Sequence, residues 1–328
     1  MKKLINKTEN IVTEMLEGIA AANPGKLVKV ENYNIIARKE KKKKTGVISG
    51  GGSGHEPAHA GFVGFGMLDA AVSGEVFTSP TPDQILEGIK TADNGEGVLL
   101  VIKNYSGDVM NFEMAAELAD MEGIKTEKVI VGDDIAVENS TYTIGKRGIA
   151  GTLFVHKTAG SAAESGECLA RVKEIAEKTA GNITSMGMSL GPCIVPASGK
   201  AGFELGENEA EIGMGIHGEP GTHKEMLKSA DEHTEYIMEK ILNESGLKKG
   251  DKAAVMINGL GATPLMELYI INNKVSKILG EKEVKIHKTF VGNYMTALEM
   301  PGFSITVLKL DDELTKYFDF KTEIGIFS

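Results

Sequence analysis

Two histidines in this chain stand among glycines, each followed closely by a glutamate and a proline, where a reactive side chain would have room to meet a ligand. His55 lies in the stretch GGGSGHEP at positions 50–57, and His217 lies in GIHGEPG at positions 215–221. Glycine lets the backbone adopt positive φ and approach a ligand closely. A neutral imidazole can act as a nucleophile or accept a proton near neutral pH. The alternative for the stretch at 50–57 is a flexible turn with an incidental histidine. The similar stretch at 215–221 argues against that alternative.

A carboxylate stands at the end of a third polar stretch. Asp108 closes the sequence KNYSGD at positions 103–108, directly after the apolar run 97–102. An apolar run without polar alternation is typical of a parallel strand covered on both faces, and ligands bind at the carboxyl ends of such strands. The alternative for Asp108 is a helix N-cap ahead of a helix over 109–121. The residues alone leave both interpretations open.

Other sites for phosphate or metal are less well supported by the residues. The glycine stretch does not match a Walker A loop, because His55 and Glu56 stand where that motif needs a lysine and a hydroxyl residue. His55 and His59 have the i, i+4 spacing of zinc helices, but Pro57 between them disfavours a helix interior, so no metal is expected. For the other histidines we expect a surface position or a satisfied position in the core: His59, His156, His223, His233 and His287.

Composition narrows the class of protein further. The 328 residues carry a formal net charge of −10 and contain no tryptophan, which disfavours nucleic acid as a partner. The two cysteines, Cys168 and Cys193, form no C-x-x-C pair, so a reducing, cytoplasmic setting is expected. No apolar run approaches ~18 residues, and the amino terminus lacks the apolar region of a signal peptide, so neither export nor a membrane span is expected.

The pattern along the chain predicts alternating strands and helices, hence an α/β fold with predominantly parallel pairing. Pro57 predicts a helix start directly after His55, and Pro82 predicts another with Thr81 as its N-cap. Segments become shorter after 181–182, which predicts two α/β domains, 1–182 with the glycine-rich stretch and 183–328 with His217, each with a parallel or mixed sheet flanked by helices. Helices are further predicted over 8–22, 151–157, 169–179, 230–243, 265–279 and from 311, and strands over 27–30, 33–37, 70–72, 127–131, 183–190, 201–205, 211–216, 253–257, 284–291 and 304–310.

Five motifs in order resemble the substrate-binding domain of dihydroxyacetone kinases, and more narrowly the K subunits of the bacterial phosphoenolpyruvate-dependent enzymes. They are GGGSGHEP at 50–57, FTSPTP at 77–82, KNYSGD at 103–108, GIHGEPG at 215–221 and GATP at 261–264. The similarity runs from positions 1–6 to positions 302–306, so it covers nearly the whole chain.

The resemblance implies roles for particular residues. The residue matching His217 holds dihydroxyacetone as a hemiaminal, which excludes alcohols such as glycerol that have no carbonyl group. The residues matching Asp108 and His55 contact the substrate hydroxyls, and one or both accept the proton during phosphoryl transfer. The residues expected to line the same pocket are Gly52, Ser53, Gly54 and Lys103.

The resemblance also implies partners. This chain is expected to bind no cofactor itself, because it ends at Ser328 without a phosphate loop or room for a nucleotide-binding domain. A separate L subunit would carry ADP or ATP with magnesium, and an M subunit of the phosphotransferase system would recharge it. A homodimer is expected. The alternative function is that of related proteins that bind dihydroxyacetone and act as coactivators of a transcription factor.

Overall fold

The computed structural model describes residues 2–137, 145–219, 221–325 and 327; Pro220 of the second histidine stretch is outside these. The helices are α1 (Ile11–Ala22), α2 (Pro82–Ala92), α3 (Ser106–Met121), α4 (Thr152–Glu164), α5 (Leu169–Ala180), α6 (Ala230–Ser245), α7 (Leu265–Glu281) and α8 (Asp312–Phe318). The strands are β1 (Leu27–Lys29), β2 (Ile35–Arg38), β3 (Gly46–Ser53), β4 (Ala70–Val76), β5 (Val98–Lys103), β6 (Thr126–Val131), β7 (Ile183–Ser189), β8 (Glu209–Ile212), β9 (His223–Met226), β10 (Lys252–Gly259), β11 (Lys285–Gly292) and β12 (Gly302–Leu310). The α/β prediction is confirmed.

The strands form two six-stranded sheets, with the orders β1-β2-β4-β3-β5-β6 and β11-β10-β12-β7-β8-β9. In the first sheet β3 pairs in parallel with β4 and β5, and β5 pairs in parallel with β6. In the second sheet, among the described residues, only β10 and β11 pair in parallel, and the other neighbours are antiparallel. Both sheets are mixed, so the expectation of predominantly parallel pairing was wrong for the second. Strand order depends on contacts between distant segments, which local periodicity does not encode.

The layers alternate between helices and sheets. Helices α2 and α3 cover one face of the first sheet through residues such as Ile85 and Phe112. Helices α6 and α7 cover one face of the second sheet through residues such as Ile237 and Leu268. Helix α4 lies between the two sheets, and every residue from Thr152 to Ala163 is buried. Most side chains of α4 are apolar or small, as a helix enclosed on all sides needs, although His156 and Lys157 are also buried on it.

The core is continuous across the chain. One apolar cluster joins Val47 and Leu99 of the first sheet to Phe154 of α4 and to Met256 and Leu308 of the second sheet. The strands of the first sheet precede residue 182 and those of the second follow it. Because the cluster is shared, the division into domains 1–182 and 183–328 stays a prediction. None of the helices in the described ranges is long and apolar enough to cross a membrane.

Several local predictions were wrong for identifiable reasons. The glycines at 50–52 belong to strand β3 itself rather than to a loop, and they pair with β4. Neighbouring backbone leaves no space for a side chain at Gly50 or Gly52, and the side chain of Lys103 leaves none at Gly51. No α-helix begins at Pro57; turns lead to a single 3₁₀ turn at Ala60–Phe62. The segment 201–205 contains only a bridge at Ala201 and no strand.

The basic run at 39–44 is buried at its end. The ammonium group of Lys44 lies 2.6 Å from Asp69 Oδ2. Helix α3 begins two residues before Asp108, with Tyr105 as its N-cap, so the N-cap interpretation of Asp108 was also wrong.

Candidate active site

The first histidine is fixed by backbone from the far half of the chain. Strand β3 ends at Ser53, and the following turn buries His55 completely. Its Nδ1 lies 2.7 Å from the carbonyl oxygen of Thr296, and the backbone N–H of Thr296 donates to the carbonyl of His55 at 3.1 Å. A carbonyl oxygen only accepts, so Nδ1 of His55 carries a hydrogen. These contacts hold the ring in one orientation.

The second histidine contacts the first directly. His217 Nε2 lies 3.0 Å from His55 Nε2. Burial, followed by the proximity of His217 and Lys103, holds the pKa of His55 well below its ordinary value, so its ring is neutral. With its hydrogen on Nδ1, His55 can only accept at Nε2. His217 therefore donates the N–H of Nε2 to His55, and a proton acceptor already lies against the nitrogen that would act as a nucleophile.

Aromatic rings enclose the imidazole of His217. Its ring centroid lies 4.5 Å from that of Tyr105 and 5.3 Å from that of Phe77, both in edge-to-face geometry. Phe77 also stacks on His55 at 5.2 Å. Phe77 adopts a φ of +56°, a left-handed conformation that costs a non-glycine residue energy and is found mainly where function requires it. The turn after β4 thus holds Phe77 against both imidazoles.

A buried ionic network supports the loop of His217. The backbone N–H of His217 donates to Glu219 Oε2 at 2.8 Å, and the hydroxyl of Tyr105 donates to Oε1 at 3.3 Å. The Arg147 guanidinium pairs with Asp134 at 2.7 Å and lies 3.8 Å from Glu219. Burial alone would raise the pKa of Glu219, but the contacts with His217 and Arg147 lower it to about 2. Glu219 is therefore a carboxylate that anchors the loop.

The catalytic carboxylate candidate is held at both oxygens. Asp108, in the first turn of α3, accepts a short hydrogen bond from the hydroxyl of Ser79 at Oδ1. Its Oδ2 lies 3.3 Å from the ammonium group of Lys103, which is fully buried at the end of β5. A side chain at Gly51 would place its Cβ 2.2 Å from that ammonium nitrogen, so glycine is required here. The end of β5 and the loop before α2 thus hold Asp108 in place.

Several of the residues predicted for the site meet at one cleft of about 690 Å³. Gly52, Asp108 and His217 line it. Behind the wall of the cleft, the hydroxyl of Ser53 donates a hydrogen bond to the carbonyl of Gly74 at 2.7 Å. His55 and Lys103 are also buried behind the wall. The backbone N–H of Gly54 donates to the carboxylate of Glu56. In the described ranges no group of three histidine, cysteine or acidic side chains is placed to hold a metal ion.

Sequence reasoning gave no role to several residues that shape this site. Phe77, Tyr105, Ser79 and Glu219 lie within the quoted motifs, so their position beside the candidate residues was the available signal. Arg147 lies outside every motif, and only the fold brings it to the loop of His217. His59 was expected to be satisfied core or surface; it is buried, and its Nε2 lies 3.1 Å from the ammonium nitrogen of Lys103, so the expectation of a satisfied core position is confirmed.

The mixed α/β layers, with an imidazole and a carboxylate on one cleft and a second imidazole directly behind its wall, define an enzyme-like protein that can attack and deprotonate a small polar molecule. Residues 17–325 match the Dak1 domain, and the chain belongs to this family. It is 54% identical over 314 residues, 95% of each chain, to the dihydroxyacetone-binding subunit DhaK of a PTS-dependent dihydroxyacetone kinase from Listeria innocua.

Solved structures agree with this placement. The dihydroxyacetone kinase of C. freundii superimposes with a TM-score of 0.91 at 38% identity, over 98% of this chain and 59% of that one. The dihydroxyacetone kinase operon co-activator Dha-DhaQ superimposes with a TM-score of 0.90 at 35% identity, over 96% of this chain and 97% of that one. The fold is therefore that of the dihydroxyacetone kinase family.

The anchoring role of Glu219 can be tested by Glu219→Gln. The amide keeps the shape of the side chain but loses the charge that balances Arg147. That charge also strengthens the hydrogen bond from the backbone N–H of His217, and hydrogen bonds to charged groups are worth ~1.5–3 kcal/mol. The resemblance implies a ketone held on His217, and we expect the ketone concentration that half-saturates this residue to rise about tenfold or more, measured by intact-mass titration. Glu211→Gln is the control, since Glu211 is buried and bonds Gly221 of the same loop but does not contact the imidazole. Equal behaviour of the two variants would contradict the role.

Proposed function

We propose that this chain is the dihydroxyacetone-binding subunit of a phosphotransferase-system-dependent dihydroxyacetone kinase, which holds its substrate on His217 as a hemiaminal. One observation carries the proposal: Nε2 of His217, on the wall of the cleft, donates its hydrogen to the neutral ring of His55 at 3.0 Å. A nucleophile and its proton acceptor are thus in contact. The Listeria innocua relative, which aligns with this chain over 95% of both lengths, supports the choice of substrate.

Capture of the ketone follows from this contact. Nε2 of His217 gives its hydrogen to Nε2 of His55, which frees the in-plane lone pair that then forms the bond to the carbonyl carbon. His55 then gives that hydrogen to the former carbonyl oxygen, which becomes a hydroxyl group. The product is a neutral N-substituted imidazole, and no water is released. Because burial lowers the pKa of His55, its protonated form is a strong acid that returns the proton readily.

Phosphoryl transfer uses the opposite end of the substrate. Asp108 accepts the proton of the terminal hydroxyl as its oxygen attacks the phosphorus of the donor, and His55 is the second candidate for this base. Lys103 and Ser79 hold Asp108 at its two oxygens. The backbone of Gly52, Ser53 and Gly54 at the end of β3 completes the substrate site in this proposal.

The phosphoryl donor belongs to a partner in this proposal. ATP with magnesium is carried by an L subunit, which an M subunit of the phosphotransferase system recharges, and the chain acts as a homodimer in the cytoplasm. The name of the Listeria innocua relative, a subunit of a PTS-dependent kinase aligned over 95% of its length, supports this arrangement. The transcriptional coactivator role is not better supported, because that relative is more similar to this chain than the co-activator Dha-DhaQ is.

Intact-mass spectrometry and a coupled assay test the proposal. With dihydroxyacetone, the purified chain should gain the mass of the whole ketone without loss of water, whereas glycerol should add nothing. With ATP but without partner subunits, no triose phosphate should form above background. Adding the L and M subunits with phosphoenolpyruvate should start turnover. No adduct in the wild-type chain, or turnover of ATP by the chain alone, would contradict the respective part of the proposal.

A further inference from the structure

The ammonium group of Lys103 has a complete set of acceptors. It is fully buried and donates to the carbonyl of Gly50 at 3.0 Å, to Nε2 of His59 at 3.1 Å and to Oδ2 of Asp108 at 3.3 Å. An ammonium has three N–H donors, and a buried charge is tolerated where such donors are satisfied. His59 supplies one of three acceptors to the cation that holds Asp108.

The hydrogens around His59 agree with this arrangement. The hydroxyl of Ser49 donates to the carbonyl of Val101 at 2.7 Å, which leaves its oxygen as an acceptor 3.5 Å from Nδ1 of His59. A hydrogen on Nδ1 then leaves Nε2 with a lone pair for Lys103. Burial, and after it the charge of Lys103, holds the pKa of His59 well below its ordinary value, so the ring stays neutral and can accept.

We propose that His59 is a positioning residue for phosphoryl transfer, which acts by holding the ammonium group of Lys103 against Asp108. The inference rests on the proposed function, because it needs Asp108 to be the base. Ketone capture takes place at His217 and His55, which His59 does not contact by hydrogen bond. Loss of His59 should therefore slow phosphoryl transfer and leave capture intact.

His156 provides a matched comparison within the same interior. It is fully buried on α4, its ring centroid lies 5.2 Å from that of His59, and neither of its ring nitrogens has a hydrogen-bond partner among the described residues. If buried imidazoles here served packing alone, His59 and His156 would be equivalent. They differ in the bond of His59 to Lys103 and in its longer contact with the hydroxyl of Ser49.

The experiment compares His59→Leu, His59→Gln and His156→Leu in the assay with partner subunits. We expect His59→Leu to lower kcat about 10- to 100-fold, less than the ~10²–10⁴-fold that a positioned general base itself contributes, with the intact-mass adduct unchanged. His59→Gln keeps an acceptor oxygen and should recover most of kcat, and His156→Leu should match the wild type. Equal kcat in His59→Leu and His156→Leu would overturn the inference.

A second measurement needs no substrate and separates failure of the inference from failure of the proposed function. The unfolding free energies of His59→Leu, Lys103→Met and the double variant form a thermodynamic cycle. Removing both partners should cost less than the sum of the single changes, because each single change leaves the other partner of the His59–Lys103 bond unsatisfied, whereas the double variant leaves neither. Additive losses would overturn the contact even in a chain that captures no ketone. A coupled cycle with no ketone adduct in the wild type would instead contradict the proposed function.

Discussion

Replacing His217 with alanine should abolish the covalent adduct and nearly all turnover. The alanine variant keeps the cleft, but the ketone is then held by hydrogen bonds alone and is free to rotate away from the donor. Fixing two reactants in one geometry contributes large factors, so a fall in kcat/KM of ~10³ or more is expected. Intact-mass spectrometry with dihydroxyacetone measures the first effect, and the assay with partner subunits measures the second.

His223→Ala is the matched control for this variant. His223 lies on strand β9, six residues after His217, and is exposed. Its ring nitrogen bonds the hydroxyl of Thr222 and its ring packs on Tyr236, away from the cleft residues. The His223→Ala variant should form the same adduct as the wild type and turn over at the same rate. An adduct that persists in His217→Ala would show that another nucleophile captures the ketone, and the assignment would be wrong.

The sequence was sufficient to predict much of what the cleft displays. His217 and Asp108 stand in short polar stretches after apolar runs. This pattern predicts reactive side chains at the ends of strands, even where the partner strands are not known. Strand β5, an uninterrupted apolar run, was predicted as a covered parallel strand and pairs in parallel with β3 and β6. These features depend on residues within a few positions of one another. The roles of the candidate site residues stay predictions.

The rest depends on contacts between distant segments. Lys103 and His59 are 44 positions apart, and no local pattern indicates that an imidazole would accept a hydrogen bond from a buried ammonium group. Thr296 lies 241 positions from His55, yet the carbonyl of Thr296 selects the tautomer of His55. The direction of proton transfer between the two imidazoles depends on that tautomer. The same limit explains the mixed second sheet. Local pattern predicts which side chains can react, and the fold decides which of them do so together.

Asp108→Asn should separate capture from catalysis. The amide can present its oxygen to Lys103 and its NH₂ group to the hydroxyl of Ser79, which can accept as well as donate, so the variant should fold with the same hydrogen-bonding shape. The amide cannot accept the proton of the reacting hydroxyl. We expect the mass of the His217 adduct to be unchanged, and turnover with partner subunits to fall by ~10²–10⁴, the usual contribution of a positioned general base.

Asp83→Asn is the control for the helix-terminal charge of Asp108. Asp83 lies in the first turn of α2, as Asp108 does in α3, but it is exposed to solvent. Loss of a carboxylate from a helix start costs ~0.3–1 kcal/mol of stability, so Asp83→Asn should leave turnover unchanged. If Asp108→Asn folds, forms the adduct and turns over near the wild-type rate, Asp108 is not the base. His55 would then be the remaining candidate, since it is the other proton acceptor in contact with the bound substrate in this proposal, and it would have to serve both capture and transfer.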